Sequence, residues 1–214
     1  TNFTPSCFKA SISSPIFIAS YLSSISKILC QLYGISYITT NLLQKLLPMT
    51  KSRENTREGA INSILQCVDN INDQNVYIFI LSAFTWASSN DSIALTLISH
   101  GNIILTKKHT EFPSKFREFA SKISSSNNVN NKTRLCNELS KSQAILQGLP
   151  GNIKAILKSL AEDQDVEVRL AILSNFPVLF NNCNGSQSNA NTRDFLLQML
   201  FQFYSDGNPR VHEY

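Results

Sequence analysis

Two carboxylates one residue apart, Asp163 and Asp165, are the pair in this sequence best placed for acid–base or metal chemistry. Acid–base catalysis needs two groups whose surroundings push their proton affinities apart. These two stand in a short acidic turn, Asp163-Gln164-Asp165, directly before an apolar-periodic run. Either can accept hydrogen bonds from the unpaired N–H groups at the start of the following helix, and capping alone accounts for both. His100 and His109 are nine residues apart with no carboxylate at ligand spacing, and His212 is isolated. The five cysteines, Cys7, Cys30, Cys67, Cys136 and Cys183, form no C-x-x-C pair. An odd, scattered set argues against a disulfide framework or zinc site and for a reducing compartment. Phosphate-binding glycine loops, the G-x-S-x-G elbow, H-E-x-x-H and the kinase catalytic and D-F-G motifs are all missing. The expectation is a segment without catalytic, cofactor-binding or metal-binding residues of its own.

Residues 107–141 have another character. Eight cations face three acids there, a local net charge of +5 against +4 for the whole chain. Lys107, Lys108, Lys115, Arg117 and Lys122 interleave with Phe112, Phe116 and Phe119. Cations beside aromatics can hold single-stranded nucleic acid through phosphate contacts and base stacking. The same phenylalanines also stand at helical core spacing, which would leave the cations as a solvated face. Both readings stand at this point.

The elements that position these residues follow from the acidic turn. Asp163-Gln164-Asp165-Val166-Glu167-Val168-Arg169 recurs in degraded form as Asp206-Gly207-Asn208-Pro209-Arg210-Val211-His212, a register of 43 residues. Asp163 then matches Asp206, Asp165 matches Asn208, and His212 takes the slot of Arg169. That period lies within the roughly 40–47 residues of HEAT and armadillo helix pairs. Glu167 falls in the first helical turn, where the helix dipole favours negative charge. Val168, Ile172, Leu173, Phe176, Leu179 and Phe180 mark one buried face. Arg169 stands beside that face, within reach of a turn carboxylate of its own or a neighbouring repeat.

Periodicity predicts helices elsewhere too. Residues 1–14 read as a lead-in, and residues 15–214 as a helical-repeat array belonging to a longer chain. Helices are expected over residues 15–33, around 38–47 and through 60–68, each with an apolar face. Residues 76–87 read as a helix buried on most sides, with Trp86 as a filler, and residues 92–106 as a helix that Gly101 bends or ends. A mobile polar loop is expected at 124–132 and a helix from about Arg134 to Gln147. Helices over 151–180 and 192–204 flank an Asn/Ser-rich loop, and Phe195, Leu196, Met199, Leu200 and Phe203 form the face of the last. Seven Gly and seven Pro in 214 residues are sparse for an all-β domain. The fold class is therefore all-α, an α-solenoid of HEAT/armadillo-type helix pairs. The run at 15–33 carries too much Ser for a membrane span, and neither it nor the N-terminus reads as a signal peptide. The four Asn-x-Ser/Thr sequons follow from an Asn/Ser-rich composition.

The decapeptide Gly151-Asn152-Ile153-Lys154-Ala155-Ile156-Leu157-Lys158-Ser159-Leu160 resembles a stretch in the helical region of ATR-like checkpoint kinases, of the phosphatidylinositol-3-kinase-like family. The Asp165–Ala171 segment and the Ser/Asn-rich helical array also suit that family's long HEAT region. The resemblance implies a nuclear serine/threonine kinase responding to DNA damage, with its catalytic domain outside these residues and no catalytic residue to carry over. This segment would then be a scaffold that binds other proteins through helix faces, without a membrane. A cytoplasmic or nuclear HEAT adaptor of transport, RNA-processing or chromatin machinery has the same local physics. Direct nucleic-acid binding through 107–141 is the third reading.

Overall fold

Short polar turns ending in Asn or Asp start several of the helices, and the helices run until the next turn. The computed structural model describes residues 74–106, 111–146, 150–183 and 190–214, together with Leu32, Ile61 and Leu65. Expectations for the rest of residues 1–73, for Lys107, Lys108 and His109, and for residues 147–149 and 184–189 lie outside the described residues. The helices are α1 (Gln74–Ala87), α2 (Asp91–Ser99), α3 (Gly101–Thr106), α4 (Phe112–Ser124), α5 (Val129–Lys141) and α6 (Gln143–Leu146). They continue with α7 (Gly151–Ala161), α8 (Val166–Ser174), α9 (Phe176–Cys183), α10 (Ala190–Tyr204) and α11 (Pro209–His212). Helix covers 82% of these residues and no strand occurs among them, so the protein is all-α over the part described. No helix among the described residues is long and apolar enough to cross a membrane.

The chain divides into two compact units, Thr1–Ala83 and Phe84–Tyr214. In the first, Ile61, Leu65, Ile80 and Ala83 are buried, whereas Leu32, expected on an apolar face, is helical but 70% exposed. In the second, the helices form two rows. One row packs α2 on α5, α5 on α8 and α8 on α11; the other packs α4 on α7 and α7 on α10. Contacts of α4 with α5, α7 with α8 and α10 with α11 join the rows.

The core lies between the rows. Phe112, Phe116, Phe119 and Ile123 of α4, Ile153, Ile156 and Leu160 of α7, and Leu196, Met199 and Phe203 of α10 are buried. So are Leu135, Cys136 and Leu139 of α5, and Val168 and Ile172 of α8. Burying each large apolar side chain contributes about 1.5–3 kcal/mol before the cost of ordering it. Phe84 fills the space over α4, its ring 5.1 Å from Phe112, 5.4 Å from Phe116 and 5.7 Å from Phe119. Phe84 is therefore an aromatic filler of the second unit, and Trp86 is half-buried.

Three long helices are each interrupted at one residue, and the cause is the same every time. His100 separates α2 from α3, Ser142 separates α5 from α6, and Asn175 separates α8 from α9. Each of these side chains bonds the carbonyl four residues back. His100 Nδ1 lies 3.0 Å from Thr96 O, Ser142 Oγ donates to Glu138 O at 3.0 Å, and Asn175 Nδ2 donates to Ala171 O at 2.8 Å. A polar side chain bonding back into the carbonyl ladder bends a helix. Gly101 marks the first break, as its position in the sequence suggests. A Cβ there would stand 2.9 Å from Ile145 Cδ1, so glycine lets α3 approach α6.

The expected polar loop at 124–132 is shorter than its composition suggests. Ser124 belongs to α4 and residues 129–132 belong to α5, leaving residues 125–128 as the turn. Asn128 is extended and its Oδ1 accepts from Asn131 N at 3.0 Å. Capping has turned part of an Asn-rich run into the first turn of a helix.

Candidate functional site

The acidic turn and its neighbours form the most elaborate polar arrangement among the described residues of the second unit. Asp165 is extended and its Oδ1 accepts from Glu167 N at 2.9 Å; Asn208 does the same for Arg210 N at 3.0 Å. Two residues earlier, Asp163 Oδ1 accepts from Asp165 N at 3.0 Å, and Asp206 Oδ1 from Asn208 N at 2.8 Å. The carboxylates that the sequence offered as a chemical pair are thus occupied in folding their own turn.

The turns are also tied to one another. Arg169 Nε donates to Asp206 Oδ2 at 2.7 Å and its Nη2 to Asp206 Oδ1 at 3.1 Å, a two-point grip on the next turn. Its Nη1 donates to the carbonyls of Asp163 and Gln164, at 2.8 and 3.0 Å, in its own turn. One step earlier, Lys132 Nζ donates to Asp163 Oδ2 at 2.6 Å. Lys132 and Arg169 each stand four residues after a cap, Asn128 and Asp165, and each reaches the acid two residues before the following cap. Both pairs are shielded, with side chains 14% and 10% exposed in the first and 15% and 12% in the second. Shielding strengthens such bonds and makes the loss of one partner costly. The Arg210–Glu167 pair bridges the same two turns at 2.6 Å, but its side chains are 61% and 54% exposed, so water screens it.

Hydrogen bonding from Arg169 holds the Asp206 carboxyl below its ordinary range; burial opposes this, and the Asn208 N–H adds to it. Burial pushes the Cys136 thiol up to about 12, with the Asp163 charge adding to the effect against a lowering backbone hydrogen bond. Burial pushes Cys183 up to about 11. Such thiols behave as small hydrophobes and not as nucleophiles.

Among the described residues of the basic segment, the three phenylalanines offer no exposed stacking platform. Phe112, Phe116 and Phe119 are in the core. Lys115 pairs with Glu118 at 2.8 Å, and Lys122 pairs with Asp91 at 3.0 Å while donating to Ser88 O. Arg117 is half-buried on α4, and Arg134 donates to Ser92 and Thr96. Lys107 and Lys108 lie outside the described residues. Among the described residues no group of three His, Cys, Asp or Glu could hold a metal ion.

Sequence reading finds the cap at Asn90 but misses the one at Asn128 and the role of Lys132. Asn90 Oδ1 accepts from Ile93 N at 3.0 Å, so capped starts recur at intervals of 38, 37 and 43 residues. The detectable signal was Ser126-x-Asn128, a neutral version of Asp163-x-Asp165. A fixed 43-residue register passes over it.

An open groove of about 610 Å3 runs along the row of α5, α8 and α11, lined among others by Thr133, Asn137, Leu170, Ser174, Arg210 and Tyr214. Its walls carry hydroxyls, an amide, aliphatic groups, the Arg210 cation and the carboxylates of Glu167 and Glu213. Comparison with protein-family models, curated proteins and solved structures gave no match.

Proposed function

We propose that this chain is a protein-interaction scaffold built from HEAT-type helix pairs, and that its parent is an ATR-like nuclear serine/threonine kinase. The observation that carries the scaffold reading is the cation–carboxylate ladder, Lys132 to Asp163 and Arg169 to Asp206, which links successive turns. Bonds of this kind serve to hold repeated helix pairs in register, and arrays of such pairs present extended surfaces to partners. The pairing of Lys115 and Lys122 within the protein favours protein over nucleic acid as the ligand. The kinase assignment rests on the resemblance of Gly151–Leu160, which here forms most of α7.

Two measurements test the two levels. Titration with a fluorescent single-stranded oligonucleotide should give no binding that weakens log-linearly with salt. A steep slope that is lost on charge reversal of Lys115, Arg117 and Lys122 would replace the scaffold reading with nucleic-acid binding. Reading the parent gene on both sides of this segment should reveal a kinase domain; further helical repeats alone would leave an adaptor.

A further inference from the structure

The helix α10 carries two apolar faces, and only one of them is covered. Leu196, Met199 and Phe203 point into the core. Leu197, Leu200, Phe201 and Tyr204, about a third of a turn round the helix at 3.6 residues per turn, are 40%, 43%, 69% and 71% exposed. Aligning the helix pairs on their caps shows what the second face corresponds to. Leu200 and Tyr204 stand eight and four residues before the cap Asn208; Leu157 and Ala161 stand so before Asp165, and Ala120 and Ser124 before Asn128. Those four equivalents are buried, at 0% and 2% in α7 and 1% and 5% in α4. The row contacts supply the cover: α7 packs on α4, and α10 packs on α7. At the position equivalent to Leu197, Lys154 of α7 donates to Asn191 O and lies over the Phe195 ring at 5.5 Å, both on α10.

The polar ladder repeats the same step. Lys132 and Arg169, four residues after their caps, each hold the acid of the next turn, and His212 has that position after Asn208. His212 is exposed, its ring 5.4 Å from that of Tyr204, so it borders the apolar stripe. An imidazole N–H can donate to a carboxylate as Arg169 does.

We infer that Leu197, Leu200 and Tyr204 of α10, with His212 of α11, form a docking surface for one further amphipathic helix pair whose leading turn carries an aspartate opposite His212. This inference rests on the reading of the chain as a helical-repeat scaffold. Tyr204 replaces Ala161, so the docking helix presents small side chains at that point. Phe201 stands at the place of Ser121 and Lys158, both exposed, and forms the rim of the surface.

The test joins a copy of residues 172–214, one 43-residue register, directly after Tyr214; a second version carries Phe195→Ala within the copy to make room for Leu197. Docking is expected to slow hydrogen exchange of the α10 backbone near Leu200 by about tenfold or more. The protection should disappear with Leu200→Asp in the original α10 or with Asp206→Ala in the copy, and should survive Gln198→Asp. Absence of protection in both versions overturns the surface. Concentration-dependent dimers of the unextended chain that dissociate on Leu200→Asp would assign the face to a second copy and equally overturn it. The oligonucleotide titration reports on the scaffold reading separately, since it does not involve α10.

Discussion

Arg169 has more partners than any other side chain in the ladder, and its chemistry explains why lysine would replace it only in part. Its planar fork reaches both oxygens of Asp206 and still has a donor for two carbonyls of its own turn. Arg169→Ala leaves the shielded Asp206 without its cation and is expected to cost about 2 kcal/mol in chemical denaturation, with Arg169→Lys recovering about half. The acid limb of stability follows from the same bond. Because the folded Asp206 carboxyl is held below its unfolded value, its contribution is complete above the unfolded pKa of about 4 and is lost as pH falls through the lower folded value. Melting temperature should therefore drop on acidification below about pH 4, and Arg169→Ala should flatten that drop. Cys136 gives the opposite limb. Its thiol at about 12 stays protonated when folded, so unfolding is favoured once pH exceeds the free-thiol value of about 8.5. At pH 8, peptide mapping should show native Cys136 alkylated about a thousandfold more slowly than in denaturant; equal rates would contradict its burial.

At the scale of the element, helix α4 shows how one pattern supports two functions until its neighbours are known. Phe112, Phe116 and Phe119 have the spacing of a stacking platform with interleaved cations and equally that of a buried face. The ring of Phe84 settles the matter by packing against all three. Phe116→Ala is expected to cost about 3–5 kcal/mol, with hydrogen exchange rising in α4 and α7 before α10. A loss below about 1 kcal/mol would mean that the aromatic cluster is not the core. The interruptions at His100, Ser142 and Asn175 are legible in part. Glycine after His100 signals the first, but serine and asparagine are common in this chain, and only the bonds to the carbonyls four residues back distinguish these two.

For the second unit as a whole, the ladder makes the turns interdependent. Lys132 binds the Asp163 carboxylate while Arg169 binds the Asp163 carbonyl, so the two cations share a residue. A double-mutant cycle of Lys132→Ala and Arg169→Ala should therefore depart from additivity by at least about 0.5 kcal/mol; strict additivity would mean that the turns act independently. Sequence alone determined the helical class, a helix start capped from Asp163 or Asp165, its echo around Asn208 and the reach of Arg169 towards a turn, its own or a neighbour's. These depend on local forces: capping acts within three residues, and apolar periodicity within a few helical turns. Tertiary structure decided that the phenylalanines of α4 are core, that Lys122 serves Asp91 and Lys132 serves Asp163, and that Leu200 lies on the open face of α10 while Met199 lies inside. Those outcomes depend on residues about 30–40 positions away, brought together by helix pairs whose intervals of 38, 37 and 43 residues are unequal. No fixed period in the sequence encodes such spacing, and only the packing of one pair on the next selects which faces and charges meet.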